Sequence, residues 1–69
     1  MSQSGYTHID VEEITQETDK AFLCIIDGEA IWLPKSQIAD ADDYEMGDKN
    51  LSMSITEWIA KEKGIEGEN

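Results

Sequence analysis

The longest apolar run of the chain, Ala21-Phe22-Leu23-Cys24-Ile25-Ile26, is followed by Asp27-Gly28 and then by a second apolar run, Ala30-Ile31-Trp32-Leu33. Asp-Gly between two such runs favours a two-residue hairpin turn, because both central residues must take positive φ. A two-residue loop sets Ile26 opposite Glu29, Ile25 opposite Ala30, Cys24 opposite Ile31, Leu23 opposite Trp32 and Phe22 opposite Leu33. Strand alternation then gives the hairpin two apolar faces. One carries Ala21, Leu23, Ile25, Ala30 and Trp32, and the other carries Phe22, Cys24, Ile26, Ile31 and Leu33. A hairpin apolar on both sides must lie at the centre of a curled sheet or barrel, or offer one face to a partner.

The remaining elements are read outward from this hairpin. Tyr6 to Thr15 predicts a first strand, with Ile9 and Val11 alternating against His8, Asp10 and Glu12; Ile14 falls out of phase and calls for a β-bulge at Glu12-Glu13 or a strand end near Glu12. The polar segment Gln16 to Asp19 turns this strand back into Lys20, so the first three strands form an antiparallel meander. Pro34 ends the third strand or places it at an edge. Lys35-Ser36-Gln37 and Ile38-Ala39 follow as a brief strand or a single helical turn, and Asp40 to Asn50 reads as a loop. Leu51, Met53 and Ile55 alternate with serines as a fourth strand. The helix after it begins with the S-x-x-E capping box Ser54 to Glu57 and carries Ile55, Trp58 and Ile59 as its apolar stripe. Gly64 stops it, with Ile65 folding back on Ala60. The predicted fold class is α+β: a small curved four-stranded, mainly antiparallel sheet with one C-terminal helix packed on it. Residues 6–65 form a single domain, between a disordered start at 1–5 and a disordered tail at 66–69.

Charge changes this picture. Sixteen acidic residues against five lysines and no arginine give a formal net charge of −11 on 69 residues. Proteins that hold a phosphate backbone rely on Lys and Arg to release counterions, so direct nucleic-acid binding is disfavoured and a basic protein partner is favoured. A chain this short has a small core, and self-association would add to it; together with the two apolar hairpin faces this predicts a homodimer. The first residues lack a basic start and an apolar stretch, and no run approaches a membrane span, so the expected location is cytoplasmic.

Catalytic chemistry has few candidates. The single histidine, His8, and the single cysteine, Cys24, lie on different strands, and Cys24 sits in the most apolar one, where a buried structural thiol is expected. Asp40, Asp42 and Tyr44 fall at alternate positions as in a calcium loop, but Glu45 stands where the loop needs Gly and Leu51 where it needs a bidentate Glu. No cofactor and no metal are predicted. The candidate partner-binding residues are the loop carboxylates Asp40, Asp42, Asp43, Glu45 and Asp48, together with Trp32, Lys35, Ser36 and Gln37 at the strand end. Trp32 and Trp58 read first as the two large core residues of a small domain. The alternative role for Trp32, with Lys35, is stacking of single-stranded bases on the sheet.

Trp32-Leu33-Pro34-Lys35-Ser36-Gln37, led by a hairpin and closed by the helix Glu57-Trp58-Ile59-Ala60-Lys61-Glu62-Lys63-Gly64, resembles a recurring pattern in small proteins encoded by phages and mobile elements. The resemblance covers about residues 20 to 65. It implies an accessory protein near DNA replication or host defence and assigns no site residues. The resulting expectation is a non-enzymatic acidic interaction protein that binds, and by occupying a nucleic-acid groove inhibits, a basic nucleic-acid-handling host protein. The alternative is a single-stranded nucleic-acid-binding module, and an enzyme ranks last.

Overall fold

A computed structural model describes residues 5–65; the start at 1–4 and the tail at 66–69 predicted as disordered lie outside the described residues. β1 (Tyr6–Glu17), β2 (Ala21–Ile26), β3 (Glu29–Pro34) and β4 (Lys49–Thr56) form one antiparallel sheet in the order β3-β2-β1-β4, and α1 (Glu57–Lys63) follows β4 directly. The fold is α+β. The central hairpin has the predicted register throughout, Ile26 opposite Glu29 to Phe22 opposite Leu33, and extends to Ala21 opposite Pro34. Asp27 (φ 54°) and Gly28 (φ 79°) both take the left-handed conformation that this tight turn requires. The meander holds for β1 to β3. β4 then returns to the far side of β1, which gives the spatial order 4-1-2-3 of a Greek key.

β1 is irregular at two places: its burial phase changes at Glu12-Glu13, where Ile14 predicts it, and its register shifts again at Thr15. Ile14 pairs with Cys24 and Gln16 with Leu23, so Thr15 is the extra residue. Val11 and Ile14 are both buried although three residues apart, and Asn50, in the β4 segment facing this stretch, has φ 54°. The strand therefore bends along its length.

The connection from β3 to β4 shapes the core. Lys35–Gln37 forms one 3-10 turn, after which Ile38 bridges to Ile55 near the end of β4. In a flat sheet the two outer strands would stand about 14 Å apart, whereas a three-residue 3-10 turn rises only about 6 Å. The sheet is therefore curled. From Ile38 the chain runs back beside β4, with the Ala39 N–H donated to the Ser54 carbonyl at 2.8 Å, and ends at Gly47 and Asp48, which exchange backbone hydrogen bonds with Ile14. Ala41 and Tyr44 of this connection pack against the core. The expectation of a plain loop is thus corrected, since its apolar side chains help to close the domain.

The core is filled by Ile9, Val11, Ile14, Phe22, Cys24, Ile26, Leu33, Ile38, Met53, Ile55, Ile59 and Ala60. α1 covers its end. The expected Ser54 cap is replaced by Thr56, because β4 continues to that residue; its Oγ1 accepts the Ile59 N–H at 3.2 Å. The predicted helix ending is present: Gly64 is left-handed (φ 71°), and the Ile65 N–H donates to the Ala60 carbonyl at 2.9 Å. The predicted stripe is turned by one position. Ile59 and Ala60 are buried, while Trp58 is 56% exposed. Gly5 lies inside the predicted disordered start, yet its carbonyl accepts the Glu57 N–H at 3.1 Å.

Candidate functional site

Alternation along β2 and β3 sends Phe22, Cys24, Ile26 and Leu33 into the core and turns Ala21, Leu23, Ile25, Ala30 and Trp32 to the opposite face of the sheet. None of these five belongs to the core cluster or to the partly buried apolar side chains packed against it. Leu23 and Ile25 are half-buried, Ala30 is exposed, and Trp32, opposite Leu23, is 43% exposed. The reading of Trp32 as core is thereby corrected. An exposed indole beside aliphatic side chains on an uncovered sheet face is a contact feature rather than a packing one.

Carboxylates border this apolar strip on the β1 side. Glu13 sits opposite Ile25, and Glu12 reaches the hairpin tip, where its Oε2 accepts the Gly28 N–H at 3.2 Å beside Asp27. Asp10 and Glu12 are exposed and alternate with buried Ile9 and Val11, so they share the open face. Asp10, Glu12, Asn50 and Ser52 also line a shallow depression where β1 bends against β4.

The predicted site residues divide into three groups. Trp32 belongs to the open face. Lys35 and Gln37 are tethers: the Lys35 Nζ is 2.8 Å from Glu17 Oε2 and 4.8 Å from the centre of the Phe22 ring, and the Gln37 Oε1 accepts the Thr56 hydroxyl at 2.7 Å. Lys35 and Gln37 are half-buried and Ser36 is exposed. Asp40, Asp42, Asp43 and Glu45 are exposed along the return run beside β4, and Asp48 is half-buried with its Oδ2 accepting the Glu45 N–H at 3.0 Å. That run flanks β4, while Trp32 lies on β3.

Glu17 was not among the predicted residues. Besides Lys35 at the start of the crossover it accepts the Met46 N–H near the end at 3.3 Å, so one carboxylate holds both ends of the connection. The hydrogen bond from Lys35, then that from Met46, holds its pKa below the ordinary carboxylate value. No local sequence signal marks such a pair, because its partners lie 18 and 29 residues away. Leu23, Ile25 and Ala30 were legible as a face but not as a site.

Two titratable groups bear on catalysis. Burial pushes the Cys24 thiol up to about 11, which keeps it protonated and unreactive at neutral pH. His8 is exposed on β1 opposite Ser54. Among the described residues no group of His, Cys, Asp and Glu is arranged to hold a metal ion, and no helix is long and apolar enough to cross a membrane. No protein family, curated protein or solved structure matches the chain; the functional reading rests on the geometry above.

Proposed function

We propose that this protein is a non-enzymatic interaction module that docks on a basic protein through the open face of its sheet. The observation that carries the reading is the uncovered strip Leu23, Ile25, Ala30 and Trp32, bordered by Glu12, Glu13 and Asp27. Exposed tryptophans beside aliphatic residues are typical binding anchors, and a carboxylate border selects a partner with Lys or Arg around an apolar contact. Asp40, Asp42, Asp43 and Glu45 are exposed on the run beside β4. They add to the field of a chain with net charge −11 and steer the encounter. The resemblance at Trp32 to Gln37 supports an accessory role of phage or mobile-element type. A host protein that uses its basic surface to hold nucleic acid would be inhibited on binding.

Affinity capture from a host lysate tests this reading. The wild-type chain should retain a basic protein that added salt or excess oligonucleotide releases. Trp32→Ala should abolish retention. Joint replacement of Asp42, Asp43 and Glu45 by Asn, Asn and Gln should slow association and flatten its salt dependence while the melting temperature holds. Retention unchanged by Trp32→Ala would remove the open face from the account. The exposed indole also favours the second reading, base stacking, although the nearest cation, Lys35, is engaged by Glu17. Direct oligonucleotide binding by the purified chain, weakening steeply with salt, would replace the first reading by the second.

A further inference from the structure

The two outer strands are finished differently. The outer side of β4 is met by the return run, through the Ile38–Ile55 bridge and the Ala39 to Ser54 bond, but among the described residues no element pairs with the outer side of β3. The tight turn fixes which β3 groups are free. Ile26 and Glu29 flank it as a hydrogen-bonded pair, so Cys24 with Ile31 and Phe22 with Leu33 are hydrogen-bonded pairs too. The Lys35 N–H donating to the Lys20 carbonyl at 2.7 Å continues the same phase. The N–H and C=O of Ala30 and Trp32 therefore point away from the sheet. An uncovered edge of this kind is a template for another strand.

We infer that β3 pairs antiparallel with β3 of a second copy, about a two-fold axis at Ile31, to give a continuous eight-stranded sheet. This register is self-complementary at each step. Ala30 and the second copy's Trp32 exchange backbone hydrogen bonds, and the indole lies against the small methyl side chain. Glu29 falls opposite Leu33, so no like charges meet directly. Gly28 falls opposite Pro34 at the ends of the paired stretch, where neither backbone bond forms: proline has no N–H for the Gly28 carbonyl, and the Gly28 N–H is already donated to Glu12. Asp27 falls opposite Lys35 at both ends, so no like charges meet there either, although the Lys35 ammonium is already held by Glu17. The pairing uses the strand edge rather than the sheet face, so it stands or falls independently of docking on a basic partner.

Cysteine cross-linking with sedimentation equilibrium tests the proposal. In a Cys24→Ser background, which removes the native thiol opposite position 31, Ile31→Cys places two thiols across the axis in a non-hydrogen-bonded pair, about 4.5 Å between Cα atoms, which a disulfide can span. Mild oxidation should give a covalent dimer of twice the 7.8 kDa chain mass. Glu29→Cys, which faces Leu33 rather than itself, should remain uncross-linked. Ala30→Pro removes an outward-facing N–H without touching the β2 ladder and should leave a monomer; if it unfolds, Trp32→Ala, at an exposed side chain, should weaken association at least tenfold. Added salt should strengthen the wild-type dimer by screening two chains of charge −11, the opposite of its effect on a basic partner. A wild-type monomer at micromolar concentration, or equal cross-linking at Ile31 and Glu29, would overturn the pairing.

Discussion

The two faces of the β2-β3 hairpin carry similar residues and meet opposite fates. Phe22, Cys24, Ile26 and Leu33 lie in one core cluster with residues of the crossover connection and α1, whereas Leu23, Ile25, Ala30 and Trp32 stay outside it. Apolar composition alone thus does not decide what is core. In a single sheet the decision falls to whichever face the Greek-key connection crosses, and here Ile38, Ala41 and Tyr44 commit it to the Phe22 side.

The largest effect that would break the comparison is on the sealed side. Phe22→Ala should cost about 3–5 kcal/mol, because it empties a fully buried site and removes the ring beneath the Lys35 ammonium. Trp58→Ala, at a larger but exposed side chain, should stay within about 0.5 kcal/mol of wild type. Chemical denaturation of both variants checks the contrast; similar losses would mean that Trp58 is packed.

A smaller effect sharpens the account of how the face is sealed. Glu17 has a lowered pKa, so its contribution is present at neutral pH and is lost as pH falls through its folded value. Glu17→Gln should therefore lower the melting temperature at neutral pH, and the gap from wild type should close in acid. A gap that persists in acid would show that the carboxylate charge is not what ties Lys35 and Met46.

What the sequence made legible follows the range of the interactions. The hairpin register, the positive-φ turn at Asp27-Gly28 and the Gly64 helix ending depend on residues a few places apart, and all are present as read. The phase change at Glu12-Glu13 is legible from Ile14 alone, whereas the extra residue Thr15 shows only in the pairing with β2. The helix cap moved from Ser54 to Thr56 because pairing of Tyr6 with Thr56 prolongs β4. Both tryptophans were read as core, since a bulky aromatic is most often buried; which face is covered is set by contacts through the crossover, far apart in sequence. For the same reason the bonds of Lys35 to Glu17 and of Gln37 to Thr56 have no local signal in the sequence.

Among the described residues the chain closes one face and one edge of the sheet on itself and leaves the outer edge of β3 unpaired. Residue-resolved amide hydrogen exchange on the dilute protein tests it most directly. Ile31 and Leu33, whose N–H groups donate to β2, should exchange slowly, while Ala30 and Trp32 between them should exchange fast and become protected as protein concentration rises. Slow exchange at Ala30 and Trp32 that persists at the lowest concentrations would contradict the claim, because it would show that this edge is already covered within a single chain.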